Sequence, residues 1–390
     1  MASKISFQEI KSKGVDLLVI AGEASGDEHA SILVGELKIR FPQLRIFALG
    51  GPRLEESGAV LVFDLVDHAV VGIFEVLKNY LFFRRLLHET ISWIDDNRPK
   101  LILLVDFPGF NLRLAEALRR KGISRMGGGQ VCVLQYISPQ LWAWKAKRRF
   151  KMERILDGVG VIFPFEVACY NDVDLPVSFV GHPFAASSYK SSVYFDEQGP
   201  LLLLPGSRVQ PIRRILPVFL DAYEKLRLKF PNLSAVLAVP NEKINELVTS
   251  MLDDRGQIKQ FVEVRVASKD LKARVALMSS GTMSLASALA GIPGVIAYRA
   301  HPLTYFFGKL LVKVPYLGMA NLLIPEKPPY LELIQGKAQA DTLSKEVERL
   351  LLDPDARRHC RDSSEKLRKL LSQSMERGTM DWLTQEGAFL

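Results

Sequence analysis

Four short segments carry residue types and spacings that can do chemistry. Asp106 closes the apolar run 100–106 and is followed by Phe107-Pro108-Gly109-Phe110-Asn111. A carboxylate between a buried strand and two aromatics is partly stripped of water. That raises its pKa toward the range in which it takes a proton from a hydroxyl. The alternative for Asp106 is the N-cap of a helix beginning near Asn111. In the second half, Pro205-Gly206-Ser207-Arg208 and Ser280-Gly281-Thr282 each follow an apolar run and precede a helical one. Small residues there expose backbone N–H groups and hydroxyls to a phosphate, and Arg208 can pair with it bidentately. Two such loops suggest a diphosphate more than either does alone; the alternative is ordinary turn chemistry. Neither continues as Gly-Lys-Ser/Thr, so neither is a Walker-type loop. The fourth segment, Gly22-Glu23-Ala24-Ser25-Gly26-Asp27, is a further strand-to-helix turn, or only a βα loop. It is not G-x-G-x-x-G, which disfavours a dinucleotide.

Other segments are less specific. Residues 70–91 carry a helical stripe of Ile73, Val76, Leu77, Tyr80, Leu87 and Ile91, as any core-facing helix would. Phe82 and Leu86 extend the apolar surface beyond that face, with Arg84 and Arg85 beside them, so burial and a membrane interface are both open. Trp142 and Trp144 precede Lys145, Lys147, Arg148, Arg149 and Lys151, a run that suits an anionic partner or a solvated helix start. The six histidines show no metal-ligand spacing, His182 in Gly-His-Pro reads as a turn residue, and no Ser-His-Asp set can be assembled.

The elements that must position these residues follow from the pattern. Short apolar runs at 15–21, 45–49, 100–106, 131–137 and 158–163 alternate with helical segments, which predicts a doubly wound α/β sheet. A second series, 201–204, 235–239, 275–278 and 294–298, predicts another. Ligands of such sheets collect at the carboxyl ends of the strands, where Asp106 and the loops fall. We read 1–186 as the first domain, the polar stretch 187–199 as a linker, 200–340 as the second domain and 341–390 as a helical tail. At 390 residues, two domains accord with roughly 100–200 residues each. Hydrophobic content of 48% excludes wholesale disorder, and three widely spaced cysteines exclude a disulfide framework and fit a reducing compartment. The net charge of +8 points to an anionic partner without choosing one. Residues 275–298 are uncharged and long enough to span a bilayer, but the Ser-Ser-Gly-Thr turn, Gly291 and Pro293 read as strand, turn and buried helix. No signal peptide or transmembrane segment is expected.

Taken together these residues resemble lipid-A-disaccharide synthases. The resemblance rests on AGEASGDEH (21–29), GGPRLEESG (50–58), DFPGFN (106–111), YISPQLWAWKAKR (136–148), FVGHP (179–183), LLPGSR (203–208), SGT (280–282), YRAHPLTY (298–305) and VKVPYLGMANLL (312–323). It implies a GT-B glycosyltransferase with two Rossmann-like domains facing a cleft. The implied reaction moves 2,3-diacylglucosamine from its UDP derivative to 2,3-diacylglucosamine 1-phosphate, with inversion, at the cytoplasmic face of the inner membrane, without metal or cofactor. Asp106 would be the general base. Gly206, Ser207, Arg208, Ser280, Gly281, Thr282, Arg299 and Asn321 would bind the UDP-sugar, and Glu23, Ser25 and Asp27 would face the acceptor. Val70, Ile73, Phe74, Leu77, Leu81, Phe82, Arg84 and Arg85 would meet acyl chains or membrane. The tail would strap the two domains, pack back on the first, or exchange between protomers of a homodimer.

The sequence departs from the family pattern at three places, the first being Ala30-Ser31, where a small Gly often follows the first His. Pro211 stands where a Glu usually follows the P-G-S-R block, and Ala286 where one follows S-G-T. Loss of a charge-assisted bond to the ribose costs about 1.5–3 kcal/mol. These departures motivate two rivals: a GT-B transferase with another UDP-sugar, and a catalytically silent nucleotide-sugar or lipid-binding scaffold. A nucleic-acid-binding protein explains the charge but leaves Asp106 and both phosphate loops idle.

Overall fold

Buried apolar strands set the architecture. The computed structural model describes residues 7, 14–69, 80–186, 189–266, 270–301, 305, 314–372 and 378–387. Its first parallel sheet contains β1 (Leu17–Ala21), β2 (Ile46–Gly50), β3 (Val60–Asp64), β4 (Leu101–Val105), β5 (Cys132–Tyr136), β6 (Gly158–Val161) and β7 (Val177–Phe179). Their order is β3-β2-β1-β4-β5-β6-β7. Every residue of β1, β2, β4, β5 and β6 is buried, which is why these strands read as apolar runs, interrupted only by Gln135 in β5.

The second unit repeats the plan. β9 (Leu201–Leu204), β10 (Ala235–Val239), β11 (Val262–Val266), β13 (Val275–Met278), β14 (Gly294–Tyr298) and β15 (Leu331–Ile334) form a sheet ordered β11-β10-β9-β13-β14-β15. β8 (Val193–Phe195) and β12 (Leu271–Ala273) form a separate parallel pair. The chain is thus α/β with two Rossmann-like domains. In both large sheets the strand order reverses beside the first strand, between β1 and β4 and between β9 and β13. In doubly wound sheets ligands bind outside the carboxyl ends of the strands at such a reversal.

The units divide as 1–189 with 371–390, and 190–370. The polar stretch 187–199, read as a linker, is mostly structure of the second unit. Val193–Phe195 is β8, and Leu271 N–H donates to Ser192 O at 2.8 Å. Only Val193 of that strand is buried, so no alternation marks it in the sequence. The tail is split. Leu343, Val347, Leu350 and Leu351 of the helix Ala340–Leu352 join the second core with Ile215, Leu216 and Phe219. The helix Thr379–Gly387 instead lies on the first sheet, its Trp382 ring 6.4 Å from Tyr136. Gly160 makes room for that ring: a Cβ there would lie 2.9 Å from it. The uncharged stretch 275–298 is β13, the buried helix Thr282–Leu289 and β14, as the pattern implies. Among the described residues no helix is long and apolar enough to cross a membrane.

Candidate active site

In the first unit the switch point brings together the segments that follow β1 and β4, strands paired to their last residues, Ala21 opposite Val105. Asp106 is half-buried just past β4, in a left-handed conformation with φ 43°, and Phe107 follows with φ 45°. The helix starts at Pro108, with Phe107 in the capping position. Asp106 is therefore not its N-cap. Non-glycine residues rarely adopt this backbone, and two in succession turn the chain sharply out of the sheet. Gly22 lies against that turn: a Cβ on it would be 2.3 Å from the Phe107 ring. Glu23 precedes the helix Ala24–Arg40 at its capping position, and Glu23 and Ser25 are half-buried.

Asp27, expected on the acceptor side, is turned to the scaffold. Its carboxylate accepts from Gly51 N (2.7 Å), Arg53 N (3.1 Å) and Leu54 N (3.4 Å), at the start of the helix Pro52–Glu56. Burial raises its pKa, against the opposing pull of those three donors.

Two features around this sheet end escaped the sequence reading. Glu166 is buried and accepts from Phe163 N (3.1 Å) and Trp142 Nε1 (3.3 Å). Burial pushes its pKa up to about 8, with a smaller upward contribution from the Asp106 charge. It therefore holds its proton at neutral pH. His29 and His182 form a buried edge-to-face pair with ring centroids 5.5 Å apart, both against Phe184. Burial lowers His29 to about 4 and His182 well below its ordinary range, so both are neutral. His182 Nδ1 accepts from Phe184 N at 3.0 Å, the turn role its Gly-His-Pro context suggested. The sequence signal for Glu166 is a lone carboxylate among Phe163 and Phe165; the histidine pair has none.

In the second unit the two phosphate-type loops become neighbours. Leu204 ends β9 opposite Met278 at the end of β13, and Ser279 N–H donates to Leu204 O at 2.8 Å. Gly206 has φ +108°, a conformation open to glycine. Ser207 and Arg208 are exposed, ahead of the helix Val209–Lys229. Ser280 and Thr282 are half-exposed, and Gly281 is the exposed capping residue of Thr282–Leu289. Both helices thus present their positive ends at one sheet position, which suits a diphosphate. Arg299 follows β14 and donates to Ala338 O at 2.6 Å.

Asn321 is drawn into the fold. Wholly buried, it donates to Tyr330 O and Glu332 Oε1, both at 2.8 Å, and accepts from Tyr330 N at 3.1 Å. Glu332 in turn accepts from Leu317 N and Gly318 N, at the start of the helix Met319–Leu323. The residue expected to touch the donor is a joint between that helix and β15. Pro211 sits in the first turn of its helix, where proline is tolerated, and Ala286 is buried with 1% exposure.

Of the acyl-contact set, Val70, Ile73, Phe74 and Leu77 lie outside the described residues. In the helix Tyr80–Asn97, Leu81 is 63% exposed and Arg84 and Arg85 are exposed, whereas Leu86 is fully buried. Phe82 and Phe83 contact each other at 5.4 Å, and Phe83 lies 6.3 Å from Phe107, beside Asp106. Among the described residues no group of His, Cys, Asp and Glu is arranged to hold a metal.

Comparison with known proteins accords with this geometry. The sequence model of the family described as Lipid-A-disaccharide synthetase matches residues 17–383. The chain is 36% identical over 348 residues to the lipid-A-disaccharide synthase of Geobacter sulfurreducens, covering 87% of this chain and 88% of that protein. It is 33% identical over 368 residues to lipid-A-disaccharide synthase 1 of Legionella pneumophila subsp. pneumophila, covering 92% and 94%. Solved structures show the fold alone. The UDP-GlcNAc 2-epimerase of Neisseria meningitidis, bound to UDP-GlcNAc, aligns with TM-score 0.59 at 10% identity, covering 92% of this chain and 98% of that one. The glycotransferase of kitacinnamycin aligns with TM-score 0.59 at 15% identity, covering 96% and 99%.

Proposed function

The chain belongs to the lipid-A-disaccharide synthase family, glycosyltransferases of lipid A biosynthesis with the GT-B fold, and from that premise we propose its substrates and the roles of its residues. The donor is UDP-2,3-diacylglucosamine and the acceptor is 2,3-diacylglucosamine 1-phosphate. The products are a β-1,6-linked disaccharide 1-phosphate and UDP.

The acceptor 6-hydroxyl is a weak nucleophile at neutral pH and needs a base that takes its proton as the new C–O bond forms. Asp106 is that base. The sugar C1–O bond breaks on the opposite side, so the configuration inverts, and UDP leaves with the bonding electrons. Gly206, Ser207, Arg208, Ser280, Gly281 and Thr282 stabilise the charge on the departing diphosphate with N–H groups, hydroxyls and a guanidinium. Glu23 and Ser25 contact the acceptor. Arg299 flanks the donor loops, and Asn321 serves the donor indirectly, through the joint it makes with Glu332. The support for this reading is that Asp106 and the paired loops each sit at a strand-order reversal. The exposed Leu81, Arg84 and Arg85 suit contact with lipid at the cytoplasmic face of the inner membrane, and a homodimer is the remaining partner assignment.

The test is turnover followed by mass spectrometry in detergent, with both lipid substrates and Asp106→Ala in parallel. Disaccharide 1-phosphate made by the wild type and lost in the variant supports reaction and base. Product persisting in the variant keeps the reaction and removes Asp106 from its role. No product from folded protein across several acyl lengths leaves the altered-donor or binding-only reading.

A further inference from the structure

Gln135 is an anomaly in its strand. It lies in β5 among Val133, Leu134 and Tyr136 with no exposure, where an apolar residue would pack without polar cost. Its Nε2 donates to three backbone carbonyls: Ile137 O at 3.1 Å, Asp106 O at 3.3 Å and Tyr136 O at 3.3 Å. Asn111, equally buried, aims its Nδ2 at the same place, donating to Asp106 O at 2.8 Å and Val105 O at 3.3 Å. Gln135 Oε1 and Asn111 Oδ1 have no hydrogen-bond partner among the described residues. Two buried amides keep their oxygens unpaired in order to deliver N–H groups to one carbonyl.

That carbonyl belongs to a strained segment. Asp106 and Phe107 are left-handed at the end of β4, and Ile137, at the end of neighbouring β5, is left-handed with φ 64°. Gln135 ties the Asp106 and Ile137 carbonyls together, and Asn111 holds the Asp106 peptide from the helix that follows. Such backbone persists only where its surroundings over-determine it.

We propose that Gln135 and Asn111 are positioning residues, which clamp the Asp106 carbonyl and so fix the direction in which the Asp106 carboxylate leaves the sheet. The proposal rests on the reading of Asp106 as the base. A base displaced by about 1 Å from the hydroxyl it serves loses on the order of 100-fold in rate.

The experiment compares turnover of UDP-2,3-diacylglucosamine and 2,3-diacylglucosamine 1-phosphate by wild type, Gln135→Met, Asn111→Leu, Asp106→Asn and the double variant Asp106→Asn/Gln135→Met. Both clamp substitutions remove the amide at similar volume. The expected result for each is a fall in kcat of roughly 10- to 100-fold with KM within about twofold. In the Asp106→Asn background, Gln135→Met should cause no further loss of the residual rate, because the two residues act as one unit. Wild-type kcat in the folded clamp variants overturns the proposal, as does a Gln135→Met loss that multiplies with that of Asp106→Asn. Full turnover by Asp106→Asn overturns the base assignment and the clamp together, whereas normal Gln135→Met beside an inactive Asp106→Asn overturns the clamp alone. Should Gln135→Met fail to fold, Asn111→Leu tests the same carbonyl.

Discussion

Gly22 and Phe107 leave different strands, yet the Phe107 ring occupies the space a Gly22 side chain would need, with a Cβ placed only 2.3 Å from it. The turn after β1 and the turn after β4 are therefore one packed unit, and the first requires glycine so that the second can carry an aromatic beside Asp106. Gly22→Ala must push Phe107 off its stack on Phe110, where the centroids are 6.0 Å apart. The expected cost is about 1–3 kcal/mol of stability in urea unfolding, together with reduced turnover as Asp106 shifts.

Asp27 satisfies three backbone donors at the start of the helix Pro52–Glu56. Asp27→Ala leaves them without their acceptor, and the expected destabilisation is about 2–4 kcal/mol, combining a lost cap with unsatisfied N–H groups. Urea unfolding midpoints of the two proteins measure it.

The histidine pair makes the protein acid-sensitive. His29 is lowered to about 4 from an ordinary 6.5, so the unfolded chain takes a proton that the folded chain refuses. Its contribution to stability is complete above pH 6.5 and is lost as pH falls toward 4, by about 3 kcal/mol in total. His182, also depressed, adds to the loss in the same direction. Equilibrium unfolding at pH 7, 6, 5 and 4 should show the decline, and His29→Phe should make it shallower.

Glu166 acts in the opposite sense. Its folded-state pKa is raised from 4.5 to about 8, so above pH 4.5 the unfolded chain gives up a proton that the folded chain keeps. The folded state is progressively penalised from pH 4.5 to about 8, and the penalty then levels off. Glu166→Gln removes the titration. Its stability relative to wild type should rise with pH across that window, by on the order of 3–5 kcal/mol at its upper end. Equal pH slopes for the two proteins would contradict the buried neutral carboxyl.

Arg208 tests the donor loops. Arg208→Ala should raise KM for the UDP-sugar about 10- to 150-fold, the equivalent of one charge-assisted hydrogen bond, and should weaken inhibition by UDP to a similar extent. KM for the acceptor should stay near its wild-type value. An unchanged inhibition constant for UDP would place the diphosphate elsewhere.

The sequence by itself determined the parts of this protein that depend on composition along the chain. The inner strands β1, β2, β4, β5, β9, β10 and β13 are legible because burial on both faces demands continuous apolar residues. β3, β7, β11 and β15 lie at sheet edges and are partly exposed; polar residues break the runs of β7, β11 and β15, and the apolar β3 passes unnoticed. The places of Asp106 and of the two small-residue loops at strand ends are also legible, because a carboxylate or a cluster of small residues at the end of an apolar run is a local signal. What the tertiary structure alone decided are relationships between residues far apart in the chain. The commitment of Asp27 to a later helix, the enclosure of Asn321 by Tyr330 and Glu332, the meeting of His29 with His182 and the convergence of Gln135 and Asn111 on one carbonyl leave no periodicity to read. Each arises because strand order, not sequence order, selects neighbours, and because a buried polar group must take whatever partner that packing supplies.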